Sequence, residues 1–473
     1  MYVQQFFTRG LAHSSYLLGD TKTCAIVDPR RDIDIYLEAA SAMGMTITHI
    51  LETHLHADFV SGHMDLARVT GATIYVPKAG SGSFDSVAVG QGDSFQIGNL
   101  SVEVRDTPGH TPEHISYVVA DRSRGDQPVS VFCGDTLFVG DVGRPDLFPG
   151  QARDLASRLY DSLHQQLLTL PAYCEVYPAH GAGSLCGRAM GAKRTSTVGY
   201  EALYNPALAL TSREEFITSL TTNMPGAPDH FSRCSAINGA GPAVVADLPP
   251  VVPLAPKAFR DRAAGEDSIV LDIRSYEAFG GAHIPGAYHI SLAGNFATFA
   301  GWILPPDKDI LIVSDDSAPL SESVTWLRRV GLDRVVGSLA GGMTAWSNAG
   351  YELGHLRQVG LPELQAMVSG GSGIVLVDTR APNEFAGGHI DGAINIPAPD
   401  LRTRYVELDP EQPTVLTCNS GNRSSLGAAL LLQRGFKKLL NAAGGMTAWT
   451  AAGLGPECAR CVAPHGPRFA ATQ

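Results

Sequence analysis

The stretch THLHADFVSGH, Thr53 to His63, holds residues whose types and spacing could do chemistry. His54, His56 and Asp58 alternate as H-x-H-x-D, which gathers imidazole and carboxylate donors of the kind that hold a transition metal. A dinuclear site built on this pattern needs a further donor at the next position. That position is Phe59, and a phenyl ring cannot ligate. Either a second site is lost or the chain uses one ion, and the two cases imply different reactions.

Other donor-type residues share a habit of position. His54 follows the strand-like run ITHILET, His110 follows SVEVRDTPG, Asp135 closes VSVFCGD and His180 closes CEVYPAH. Four strands each deliver one such residue just past a C-terminal end. Neighbouring strand ends meet at one edge of a sheet, so these side chains are expected to converge. A lone histidine is more often packed than ligating; four strand ends with one habit argue for a metal. Two histidines and a carboxylate on one face leave open positions, which non-haem ferrous iron uses to hold a substrate and O2 together. A dinuclear zinc hydrolase would instead take Asp58, the residue after it, Asp135 and His180 for its second ion. Spacing alone leaves both His54 and His56 as candidates for the position nearer the metal.

A second constellation lies in TVLTCNSGNRSSLGAAL. A buried strand ends at Cys418, the loop Asn419, Ser420, Gly421, Asn422 leads to Arg423, and a helix starts near Ser424. Backbone amides of such a loop, with the helix N-terminus, form an anion cradle. A cysteine at its base is expected to react as thiolate and to carry a stabilised persulfide. A C-x5-R phosphatase uses the same cradle, but only four residues separate Cys418 from Arg423. The shorter loop suits a sulfur-sized substrate.

The elements that must position these residues differ between the halves of the 473-residue chain, a length that predicts two to four domains. Short β-rich runs dominate up to about residue 240. A Pro-, Gly- and Ala-rich segment follows, read as a linker over 241–257. The C-terminal half then repeats itself: IVLDIRSYEAFGGAHIPGA matches VLVDTRAPNEFAGGHIDGA, and AGGMTAW occurs twice, about a hundred residues apart. That period marks a duplicated α/β domain, not a solenoid array. The expected boundaries are 1–240, 258–355 and 356–460, with a tail over 461–473. No apolar run reaches eighteen residues, and the N-terminus lacks the pattern of a signal peptide. A net charge of −12 without a basic stripe argues against nucleic acid. Eight cysteines without a disulfide rhythm point to a reducing, cytoplasmic setting.

Over about residues 1–230 the chain resembles the metallo-β-lactamase fold, an αββα sandwich. THLHAD, TPGHTPEH, CGDTLF, GDVGRPDL and YPAH are similar to the persulfide dioxygenase branch of that superfamily. The resemblance implies one Fe(II) per chain held by His54, His110 and Asp135, with His56, Asp58 and His180 as orienting residues or weak ligands. Phe59 is then tolerable because one metal suffices. The loop GAGSLCGRAMGAKRTSTVGYE is longer and richer in Gly than that branch carries; Arg144, Lys193 and Arg194 are candidates to hold an anionic thiol carrier, and Cys186 is read as packing. Over about 357–457 the chain resembles rhodanese, with Cys418 and Arg423 as catalytic residues. The first repeat has Ser314 and Pro319 at the matching positions, with Asp315 and Asp316 nearby, and is expected to be silent. Together these imply a fusion that oxidises small thiol persulfides with O2 to sulfite and passes sulfane sulfur through Cys418 to thiosulfate. No nucleic-acid or membrane partner is expected, and the chain is expected to be a homo-oligomer. The alternatives are a zinc thioester hydrolase of the glyoxalase II type and a sulfur carrier without turnover.

Overall fold

The computed structural model describes residues 1–455 apart from 81, 189, 223, 225, 371 and 372. The chain divides near residue 248 into two compact units. The pair Cys458 and Cys461, singled out by its spacing, lies outside the described residues.

In the first unit the alternation along each strand builds a four-layer sandwich. On the strand His13–Gly19, Tyr16 and Leu18 point into a core shared with Val102, Val104, Tyr117 and Phe132 of the facing sheet. Leu17, between them, points the other way, into a cluster with Ile26 and Ile50 of the same sheet and with Tyr36 and Leu66 of the flanking helices Asp34–Ala42 and His63–Thr70. The second sheet does the same: Val131, Cys133 and Val176 pack outward on Leu159 and Phe216 of the helices Ala152–Asp161 and Arg213–Thr221. Period-2 alternation thus covers both faces of both sheets, giving helix, sheet, sheet, helix. Among the described residues each sheet has six strands.

The second unit holds two five-stranded sheets of identical order, and every strand pair in them is parallel. Buried runs such as Asp309–Val313 and Thr414–Thr417 form their centres, as continuous apolar strands covered by crossover helices must. The expected linker is shorter than composition suggested. Val252–Leu254 within it pairs with Val335–Leu339 as the edge strand of the first repeat, and the helix Pro256–Ala263 follows at once. Proline is tolerated in this strand because it lies at the edge of the sheet. Among the described residues no helix is long and apolar enough to cross a membrane.

Candidate active sites

His54, His110, Asp135 and His180 do converge, though not at the edge of one sheet. His54 follows Thr46–Leu51 of the first sheet; the other three follow Leu100–Asp106, Ser130–Gly134 and Glu175–Pro178 of the second. Loops from both layers meet at one end of the sandwich, and all four side chains are buried there.

Hydrogen bonds on the far side of each ring fix what it offers. The Thr53 hydroxyl donates to Asp28 at 2.9 Å, so it accepts from His54 Nδ1 at 2.9 Å and leaves a lone pair on Nε2. His110 Nδ1 donates to the Arg144 carbonyl at 2.8 Å, with the same result. The two Nε2 atoms are buried without a hydrogen-bond partner and lie 3.8 and 3.3 Å from one oxygen of Asp135. Burial, then neighbouring histidines, pushes His54 well below the ordinary range; burial also lowers His110. Both are therefore neutral ligand-competent imidazoles. His54, His110 and Asp135 form a group able to hold a metal ion, and the orphaned nitrogens facing a carboxylate fit one.

His180 orients that carboxylate. Its Nδ1 donates to Asp135 at 2.7 Å, and its Nε2 lies 2.9 Å from Asp58. Burial opposes its protonation, but Asp135 and Asp58 outweigh it and raise the ring well above the ordinary range. Asp135 is held below the usual carboxylate range although burial opposes that, chiefly by His180.

His56 turns away from the triad. Its Nε2 lies 3.1 Å from Asp28 and 3.7 Å from Glu52, a separate group of donors able to hold a metal ion, whereas His54 is the one that lies with His110 and Asp135. Phe59 is fully buried, its ring 4.1 Å from that of His13 and 4.4 Å from that of His56. Hydrocarbon fills the place where a second ion would need a donor. Cys186 groups with Asp58 and His180, but burial, then Asp58 and Asp135, pushes its thiol up, and it packs with Ala57, Phe138 and Phe231. A protonated thiol beside a positively charged imidazole makes a poor ligand set.

The three candidate anion binders are engaged elsewhere. Arg144 is buried and grips Asp146 through two 2.7 Å hydrogen bonds, with a third to the Leu185 carbonyl. Its contribution to the site is the carbonyl that orients His110. Arg194 stacks on Phe7 at 4.0 Å and Lys193 on Tyr200 at 5.0 Å.

Two site histidines escaped the strand-end rule. His114 stacks on His54 at 4.7 Å, and its Nε2 accepts the Asp135 amide at 2.9 Å. Burial lowers its pKa to about 3. Gly134, at φ +48°, is required beside it, since a Cβ there would lie 2.4 Å from His114 Nε2. The four-residue spacing from His110 in TPGHTPEH was the available signal. His13 opens a strand instead of following one, yet its ring lies 5.6 Å from that of His180, and neither of its buried nitrogens has a hydrogen-bond partner.

In the second unit, Cys418 closes the strand Thr414–Thr417 and is buried. Its Sγ accepts from the Gly421 amide at 3.1 Å and from the Ser424 hydroxyl at 3.3 Å. The turn GGM of the repeat braces the loop: Met446 N–H donates to the Cys418 carbonyl at 2.8 Å. Gly445 must be glycine, since a Cβ would lie 2.1 Å from that carbonyl and its φ is +46°. Asn422 donates weakly to Ser420 at 3.4 Å, within the loop. Arg423 departs from its expected place. Its guanidinium forks onto the buried carboxylate of Glu384 at 2.5 and 2.9 Å, because a buried cation needs a carboxylate more than it needs an occasional substrate. In the first repeat the Ser314 hydroxyl donates to the Asp316 carbonyl.

The metallo-beta-lactamase superfamily model matches residues 8–180, and the rhodanese-like domain model matches 255–349 and 361–452. The mitochondrial persulfide dioxygenase ETHE1 of Mus musculus is 32% identical over 231 residues, 47% of this chain and 82% of its own. A hydroxyacylglutathione hydrolase of Rhodospirillum rubrum is 39% identical over 164 residues, 34% of this chain and 58% of that protein. Among solved structures, a metallo-beta-lactamase from Staphylococcus aureus is 34% identical, covering 72% of this chain and 99% of that one, with a TM-score of 0.66.

Proposed function

The chain belongs to the persulfide dioxygenase family of the metallo-β-lactamase superfamily and continues into two rhodanese-like domains, and from that premise we propose that it oxidises small thiol persulfides at one iron and transfers sulfane sulfur through Cys418. The observation that carries the reading is the pair of unpartnered Nε2 atoms on His54 and His110 facing Asp135, with Phe59 filling the adjoining donor position.

His54, His110 and Asp135 would hold the iron, which would supply the activation of O2 toward a persulfide sulfur. The chain's own residues do the rest. Thr53 and the Arg144 carbonyl keep the protons of His54 and His110 on Nδ1, and so keep Nε2 free. His180 Nδ1 lies 2.7 and 2.9 Å from the two oxygens of Asp135 and so orients the carboxylate, whose Oδ2 also faces the histidines. In net terms R–S–S⁻, O2 and water give R–S⁻, sulfite and two protons. At Cys418, Gly421 N–H and Ser424 Oγ–H face the sulfur and would stabilise the charge of a Cys–S–S⁻ persulfide. Sulfite then attacks the outer sulfur: the new S–S bond forms thiosulfate, the Sγ–S bond breaks, and its electron pair returns to Cys418 as thiolate.

A zinc thioester hydrolase would use the same fold, and hydroxyacylglutathione hydrolases are among the relatives, matched over a smaller share of their length. Phe59 weighs against it, since the dinuclear mechanism needs a donor there. Metal analysis with an O2 electrode separates the two. The expected result is near one iron per chain and O2 uptake with glutathione persulfide, both lost in Asp135→Asn. Two zinc ions per chain with rapid thioester hydrolysis would overturn the dioxygenase assignment.

A further inference from the structure

The first rhodanese-like copy has no cysteine at the position of Cys418, yet it reaches the Cys418 loop of the second. Tyr276, at the start of the helix Tyr276–Gly281 in the first copy, lays its ring on Gly421. A Cβ added at Gly421 would lie 2.9 to 3.2 Å from three ring carbons, so the ring is in contact with the backbone of the sulfur-binding loop. Gly421 is the residue whose amide donates to Cys418 Sγ. Burial, then the bond and charge of Glu277, pushes the Tyr276 phenol up to about 12, and the charge of Cys418 acts in the same direction.

A second tie fixes this pose. His289 of the first copy is buried, with one ring nitrogen 2.9 Å from the Ser425 hydroxyl, in the first turn of the helix Asn422–Leu432 that follows the loop. The other nitrogen lies 3.0 Å from the Arg274 carbonyl, two residues before Tyr276. The strand and helix starts of the silent copy are thus attached to the beginning of the active helix, and the ring of Tyr276 is held over the loop.

We propose that Tyr276 is a specificity-determining residue of the Cys418 site: its ring forms a wall supplied by the catalytically silent copy, which admits small sulfur species and hinders bulky ones. Ring carbons are what meet the loop at Gly421, so the ring, not the hydroxyl, does the selecting. This rests on the reading of Cys418 as the sulfur-carrying thiol. It gives the silent copy a role its own sequence does not suggest.

The test uses the full chain and two independent readouts. Alkylation of Cys418 is followed peptide by peptide with iodoacetamide as the small probe and fluorescein maleimide as the bulky one. Tyr276→Ala should speed the bulky reagent by about tenfold, the scale of a pocket contact, and leave the small one within about twofold. Tyr276→Phe should behave as wild type in both. In turnover, Tyr276→Ala should raise kcat/KM for glutathione persulfide relative to thiosulfate by a similar factor, mainly through KM. An unchanged ratio in Tyr276→Ala, or an equal rise for both reagents, which would mean a loosened loop, overturns the proposal. Wild-type protein with no Cys418-dependent sulfur transfer would sink the functional reading itself, while the alkylation ratio would still judge the wall.

Discussion

Arg423 offers a test in which two views of a residue predict opposite outcomes. A catalytic arginine over the sulfur loop should matter to transfer and little to folding. The structure instead pairs it with Glu384, and the two side chains are only 7% and 3% exposed. Arg423→Ala would leave the Glu384 carboxylate buried without its guanidinium, while the Ala381 amide still donates to it. Breaking a buried pair by removing one partner costs about 3–5 kcal/mol, and the retained amide argues for the lower end, about 3. With both rhodanese-like copies melting together as one unit of about 200 residues, that corresponds to roughly 6–12 °C in Tm. Replacing both partners, Arg423→Met with Glu384→Leu, removes the charge problem and should recover most of the loss. The assay is thermal unfolding of both variants and Glu384→Ala, alongside sulfur transfer below the lowest transition. The reasoning fails if Arg423→Ala melts with wild type yet raises KM for thiosulfate more than tenfold, because the cation would then be serving substrate.

Phe59→His should restore a donor beside Asp58 and His180, raising metal content from about one toward two ions per chain when zinc is supplied; stoichiometry that stays at one would show that the residues around position 59 are not arranged for a second ion. His54→Ala should abolish bound iron and O2 uptake, whereas His56→Ala should retain iron but lower Tm, because it removes the imidazole 3.1 Å from the buried Asp28 carboxylate; metal analysis and melting curves on both variants decide the assignment. Ser314→Ala should change neither persulfide oxidation nor sulfur transfer, as its hydroxyl is turned onto the Asp316 carbonyl; a large loss of transfer in a folded variant would mean that the active copy was misidentified.

The parts legible from sequence were those governed by local rules. His110, Asp135 and His180 follow strands, and strand ends are visible as apolar runs that stop. The duplicated sheets were visible because the repeat is nearly literal at GGMTAW. What escaped depends on direction and distance. Whether His54 or His56 turns toward His110 and Asp135 depends on Asp28, which attracts His56 from another segment, and on Glu52, four residues before it. The motif around Arg423 gives its position but not its side-chain direction, which Glu384 sets from a different helix. Tyr276 lies in the copy without a cysteine at the Cys418 position, so no motif search centred on Cys418 reaches it. The edge strand Val252–Leu254 was hidden by proline-rich composition, since composition cannot tell a tolerant sheet edge from a linker.

The coupling of the two chemistries is tested most directly by the products of Cys418→Ser. Persulfide and O2 are supplied to wild type and variant, and sulfite and thiosulfate are quantified, with correction for the slow uncatalysed reaction of sulfite with persulfide. Serine is a poor nucleophile at neutral pH and cannot carry sulfane sulfur, while the candidate metal site of His54, His110 and Asp135 belongs to the other unit of the chain. The variant should therefore keep wild-type O2 uptake and shift its main product from thiosulfate to sulfite. An unchanged thiosulfate yield would contradict the account.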